Sequence, residues 1–291
     1  ATPPAQPVAA PMTGEPATVT LVDAGAEPRE PLRLQLSAGQ TQTMVMTMRM
    51  AMEMQLGPSK IPRISSPPMQ MSMALSVKEI TPEGDIRSDF SLDKIEVLDD
   101  KAAPPEMVTQ MRALLGTMQK LSGTSTVTPR GIVKAADFTL PPDLNPMLRQ
   151  SMDGMRQQVH QLSVPFPEEA LGVGAKWTVT QNLEQNGMKL KQVVAWELKE
   201  RSGTVVKLAS TVTQTADPQE MKPPGMQPGA KANLESLNSS GEGTTEVDLA
   251  KLAPIKGAMD LKLAFTMSTE TNGMKMPVSM SMDLGTEVVG Q

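Results

Sequence analysis

Methionine is the residue type with the most chemistry to offer in this chain. Of 25 Met in 291 residues, fourteen fall in two-residue alternations at 44–54, 69–73 and 267–282. A spacing of two puts side chains on the same side of an extended strand. A row of thioethers then has two uses. Soft sulfur selects a monovalent ion such as Cu(I) or Ag(I), and Met274, Met276, Met280 and Met282 are the candidate ligands for that cofactor. Flexible thioethers also line adaptable apolar surfaces. For a lipid or acyl chain the candidates are Met44, Met46, Met48, Met50, Met52, Met54, Met69, Met71, Met73, Met267, Met276 and Met280. A third reading needs no ligand: Met fills a core that lacks aromatic bulk.

Other chemistry is thin. His160, in RQQVHQL, is the single histidine and has no carboxylate nearby in sequence to orient it. Asp99-Asp100 and Glu168-Glu169 sit beside turns and read as solvated charges. GVGAKW and GEGT lack both the Walker lysine and the GxGxxG pattern. With no Cys there is no disulfide, thiolate nucleophile or iron–sulfur cluster. No nucleophile, base and oxyanion site assemble, so a non-enzymatic protein is expected. A formal charge of −5, with no Tyr, four Phe and two Trp, excludes the basic patches and stacking platforms of nucleic-acid binders.

The elements that position the methionines are strands. TMVMTMRMAMEMQL from Thr43, MQMSMALSV from Met69 and RSDFSLDKIEV from Arg87 form a meander over 41–98. Phe90 and Leu92 are out of phase with Ile95 and Val97, which places a bulge near Lys94. A second meander spans 173–215, turning at Asn186-Gly187 and Ser202-Gly203. C-terminal strands over 232–288 end in a hairpin turning at Asn272-Gly273. Pro277 has no N–H, so its strand is an edge there or pairs on one side only. The Pro- and Gly-dense segment 216–231 reads as a long loop.

Between the meanders, 104–162, Met107, Met111, Leu114, Met118 and Leu121 step as one amphipathic helix. Leu148, Met152, Met155, Val159 and Leu162 step as a second. A hairpin turning at Pro129–Gly131 separates them. The expected class is therefore α+β: a curled antiparallel sheet of about ten strands, half-barrel or clam-like, with both helices on its apolar concave face. Residues 16–291 form a single domain with weak internal duplication.

Residues 1–15 are Ala- and Pro-rich with one charge, Glu15, and read as a disordered tether. A tether ahead of a Cys-free β-rich body points to an extracytoplasmic protein, periplasmic or anchored to the bacterial outer membrane. An outer-membrane barrel itself would need aromatic girdles that this composition lacks.

Pro165, Pro167, Val173, Gly174 and Trp177, followed later by Val247-Asp248-Leu249, resemble a recurring signature of uncharacterised bacterial lipoprotein-like families. Ala175 stands where those families often carry Asp. The likeness spans mainly 160–285 and implies export without any activity. The expected layout also resembles that of periplasmic lipoprotein carriers. The expected function is a non-enzymatic envelope protein holding a hydrophobic ligand in a Met-lined concavity, with no nucleic-acid partner and possible membrane association through the tether. The alternative is Cu(I)/Ag(I) binding.

Overall fold

Period-two patterning marks most of the long strands. The computed structural model describes residues 17–99, 105–116, 121–139, 163–185, 188–221, 231–271 and 274–291. Seven in ten of these lie in strands and one in twenty in a helix, which makes the protein all-β. The N-terminal part holds β1 (Thr18–Asp23), β2 (Glu30–Pro31), β3 (Thr41–Leu56), β4 (Ser59–Ser65), β5 (Met69–Ile80) and β6 (Ile86–Val97). Helix α1 (Pro105–Gly116) precedes β7 (Ser122–Val127), β8 (Val133–Thr139) and β9 (Ala170–Leu171). The C-terminal part holds β10 (Lys176–Gln185), β11 (Met188–Ser202), β12 (Val205–Ala216), β13 (Gln219–Met221), β14 (Lys231–Asp248), β15 (Lys256–Thr271) and β16 (Met274–Gly290).

Fourteen strands form one antiparallel sheet in the order β1-β10-β11-β12-β14-β15-β16-β3-β5-β6-β7-β8, with β13 paired to β14 and β4 to β3. The two meanders are thus halves of one sheet, joined where the last strand, β16, lies against β3. The short β2 and β9 pair separately.

The α+β class and the two-helix layout expected from sequence are corrected here. One helix lies among the described residues, and the second expected helix, with His160, lies outside them, as does the 1–15 tether. The first helix is shorter than its apolar stripe. It ends at Gly116, and the Leu121 carbonyl oxygen instead accepts from Leu92 N–H as the chain enters β7. Its apolar side still meets the sheet: Val108 packs on Val97 with Met111 and Leu115, and Leu115 also touches the Leu92–Ile95 cluster. The strand count exceeds ten because polar segments pair too. β4 carries a proline, β13 lies within the expected 216–231 loop, and β14 contains NSSGEG. Their backbones find ladder partners regardless of weak hydrophobic pattern, because an unpaired buried backbone is costly.

Several local expectations hold. Leu92 pairs with Met73 and Lys94 with Ser72, so Asp93 is the bulged residue. Hairpins join Gln185 to Met188, Ser202 to Val205 and Thr271 to Met274. β7 and β8 turn through Thr128–Ile132. β16 is a central strand, yet its pairing with β3 stops at Val278, one residue short of Pro277.

The sheet does not close by hydrogen bonds, but it curls until its edges meet through a strap. Leu34 packs on the Trp177 cluster and on Val127, Val133 and Ala136 of β7 and β8. Its N–H donates to Pro129 O, and Phe166 N–H donates to Arg130 O. Arg130 returns the contact through Nε to Phe166 O (2.9 Å) and pairs with Glu168. Arg33 anchors the strap by donating to the carbonyl oxygens of Pro167 and Glu168. Burial, and then the neighbouring Arg130, lower its pKa.

The main core fills this same end. Leu32, Phe166, Leu171, Ala175, Trp177, Leu198, Val206, Leu208 and Leu249 are all buried there. Trp177 donates from Nε1 to Pro165 O at 2.9 Å, stacks on Trp196 and tilts against Phe166. The sequence signature around Pro165, Gly174, Trp177 and Leu249 therefore builds the packed end of the sheet.

Candidate ligand-binding face

The register of the sheet assigns every side chain to one of two faces. One cross-strand row reads Leu21, Trp177, Trp196, Ser210, Gly243, Met259, Thr286, Met48, Met69, Val97 over ten strands. The next reads Val19, Val179, Val194, Val212, Gly241, Leu261, Leu284, Met50. A third reads Gln181, Gln192, Gln214, Ser239, Leu263, Met282, Met52, Ile64. None of these rows contains Lys, Arg, Asp or Glu. The charges stand on the opposite face, where Arg49 pairs with Glu287 and Arg63 with Asp283. Because Leu34 packs both on the cluster of Trp177, Leu198 and Leu208 and on Val127, Val133 and Ala136 across the sheet, the uncharged face is the inner one.

The methionines lie side by side on this face. Met44 opposes Met73, Met46 opposes Met71 and Met48 opposes Met69. Further along β3, Met52 opposes Met282 and Met54 opposes Met280. Directly opposed residues hold their Cβ atoms about 5 Å apart, so two patches of paired thioethers form. Met50 faces Leu284, Met267 faces Val278, and Met276 faces Thr269. Met274 is the cross-strand partner of Thr271. Burial grades along the strands. Met44 and Met46, beside Ala253 at the packed end, are 4% and 9% exposed. Met48 to Met54, Met280 and Met282 are half-buried, and Met276, at the other end, is 48% exposed. The face is a trough packed at the Met44 end and open along its methionines toward Met276, the mouth, while the β13–β14 side of that end is closed by a second buried cluster of Met221, Ala232, Leu234 and Leu237.

Sequence reasoning missed the opposite wall of this trough. On β14 the inward positions are Ser239, Gly241, Gly243 and Thr245, a furrow of small side chains between the larger ones of β12 and β15. Glycine is required there by close approach: a β-carbon at Gly241 would lie 2.6 Å from Asp260 O, and one at Gly243 2.9 Å from Ala258 O. The same Gly243 position is 2.9 Å from Ser210 Oγ and 2.8 Å from Met259 Cε. Ser210 Oγ, Ser239 Oγ and Trp196 Nε1 are buried without hydrogen-bond partners. An orphaned buried group costs about 1–3 kcal/mol. Beside them, Gln214 Nε2 donates to Gln192 Oε1 at 2.7 Å. The alternation S-x-G-x-G-x-T in the sequence was the available signal, hidden because small residues carry no hydrophobic period.

A hollow of about 620 Å³ lies on the outer face instead, lined by Thr41, Thr43, Ser76, Ser91, Ser122 and Thr124. Lys78 and Asp89, also in its lining, pair at 3.3 Å. The rest of its polar lining is hydroxyl and amide groups. Asp99 pairs with Arg112 and Glu168 with Arg130, so these carboxylates act in surface ion pairs.

Residues 145–251 match the model of a family of unknown function, DUF6263. No curated protein matches the chain. Among solved structures, Pseudomonas aeruginosa OpdQ aligns at 8% identity over 86% of this chain and 97% of its own, with a TM-score of 0.26. Pseudomonas aeruginosa OpdK with vanillate aligns at 6% identity over 87% and 99%, with a TM-score of 0.24. Scores this low do not establish a common fold. No helix among the described residues is long and apolar enough to cross a membrane.

Proposed function

We propose that this chain is a non-enzymatic binding protein of the bacterial cell envelope that holds a lipid or acyl chain against its inner face. One observation carries the reading: rows spanning eight to ten strands contain no ionisable side chain, and along β3 their methionines grade from buried to half-exposed. Covering that surface gains about 25 cal/mol per Å² of apolar area. Met side chains repack around chains of different shape at little cost. The Ala- and Pro-rich residues 1–15 have the composition of a tether, which supports a place near a membrane.

Native mass spectrometry of the purified full chain tests this. Bound lipid that is released by organic extraction and rebinds from vesicles is the expected result. A chain that carries no lipid and takes none from vesicles would overturn the reading.

A second reading, Cu(I) or Ag(I) binding, is favoured by the opposed pairs Met52/Met282 and Met54/Met280. An anaerobic Cu(I) titration decides it. Sub-micromolar sites lost on Met→Leu replacement support it, and their absence removes it.

A further inference from the structure

The two walls of the trough differ in chemistry, and the difference specifies the ligand's head. The wall built by β15, β16, β3 and β5 presents Met, Leu, Phe and Val. The wall built by β10, β11, β12 and β14 interrupts Val and Leu with Trp196, Ser210 and Gly243, then with Gln192, Gln214 and Ser239. Ser210 and Ser239 are each 4% exposed, and neither hydroxyl has a partner. Ser210 Oγ points into the furrow, 2.9 Å from the position a Gly243 β-carbon would occupy, where the Met259 methyl and the Ala258 carbonyl oxygen also converge. Trp196, directly opposite Ser210, adds an unpartnered indole N–H. These are hydrogen-bond donors in an apolar setting, with no cation in their row.

We infer that Ser210 and Trp196 form the head-group station of the trough, and that it takes an uncharged ester, amide or hydroxyl oxygen of a neutral amphiphile. The inference rests on the acyl-chain reading above and names its ligand class. An ionised carboxylate or phosphate is disfavoured, because no Lys or Arg on these rows offsets the loss of its hydration. A neutral oxygen accepts from Ser210 Oγ–H and Trp196 Nε1–H while Met259 swings aside. The tail then lies across the Met wall. Ser239 and the Gln192–Gln214 pair sit four residues further toward the mouth, about 14 Å along the strand, and face the remainder of an extended head.

The test compares monooleoylglycerol with oleate at pH 8 on the full chain, by displacement of the apolar fluorophore N-phenyl-1-naphthylamine. Monooleoylglycerol is expected to displace the dye at a concentration at least about tenfold lower than oleate. Ser210→Ala is expected to erase most of that preference, each displacement being read against the variant's own affinity for the dye. In a second measurement, the Trp196 indole N–H resonance, assigned with Trp196→Phe, moves downfield with monooleoylglycerol and not with hexadecane. Equal displacement by the two amphiphiles, an unaffected Ser210→Ala variant or an unmoved indole resonance would overturn the head-group assignment and leave the acyl-chain reading standing. Failure of dye, oleate and monooleoylglycerol alike to bind would remove both.

Discussion

Gly172 has no room for a side chain: a β-carbon there would sit 1.6 Å from the Ala26 carbonyl oxygen. Gly172→Ala is therefore expected to push the 24–26 segment off the packed end and cost about 3 kcal/mol, read as a lower urea midpoint at unchanged slope. The methionines make the opposite forecast. Replacing Met46, Met48 and Met50 by Leu conserves volume and is expected to cost under about 1.5 kcal/mol per site while lipid binding persists. Any Cu(I) affinity residing in Met46 and Met48 and their partners would fall, which an anaerobic titration of the same variant measures. Titration of the protein itself leaves the inner face untouched. Its rows hold no ionisable side chain, so retention of a neutral lipid is expected to be flat between about pH 6 and about pH 9. Stability responds at the outside. Hydrogen bonds from Lys199 and Lys275 hold Glu197 and Glu235 below the ordinary carboxylate range. Their contribution is present above that range and is lost as pH falls through the lowered values. Lys207, raised by its hydrogen bond to Glu200, contributes below the ordinary lysine value and loses it as pH rises through the raised one. Lys207 and Glu235 are exposed and Glu197 is half-exposed, so a denaturation series across pH is expected to slope gently at both ends.

At the scale of the element, parity is the controlling variable. Met280 faces inward and Ser281, its neighbour on β16, faces outward beside Glu53. Met280→Lys is expected to cost about 1–3 kcal/mol and to abolish acyl binding. Ser281→Lys is expected to stay within about 0.5 kcal/mol with binding intact, both measured by urea denaturation and dye retention. The parity was readable in the sequence because Met and Leu keep to one phase along β3, β5, β15 and β16. The bulge at Asp93 was readable too, since only a phase shift reconciles Leu92 with Ile95. β14 was not, because Ser, Gly and Thr mark neither face, and its pairing is decided by β12 and β15 on either side. α1 was overextended for a related reason. Leu121 fits a helical stripe, but the ladder with β6 claims the chain just beyond it. The Met half of the candidate site was thus legible, and the Ser–Trp half emerged only from register.

For the whole molecule, the strap of residues 24–40 decides whether a long sheet becomes a vessel. Leu34 bridges the Trp177 cluster and β7–β8, so Leu34→Ser is expected to raise amide exchange in β1 and β8 together and leave β15 and β16 protected. Exchange rising at one edge alone would show that the edges are held independently. No periodicity announces this strap, since its contacts join residues that are distant in the chain, such as Arg33 and Glu168. The gradient from the packed Met44 end to the mouth has a redox consequence as well. Thioethers oxidise to sulfoxides according to their exposure, so dilute peroxide is expected to mark this protein by depth. Met276, 48% exposed, would be modified first, Met48 to Met54 next, and Met46 and Met44 last. Peptide mass spectrometry of a peroxide time course would read that order. A bound acyl chain would stretch the interval between the first and second groups, so that the methionines themselves record whether the trough was filled.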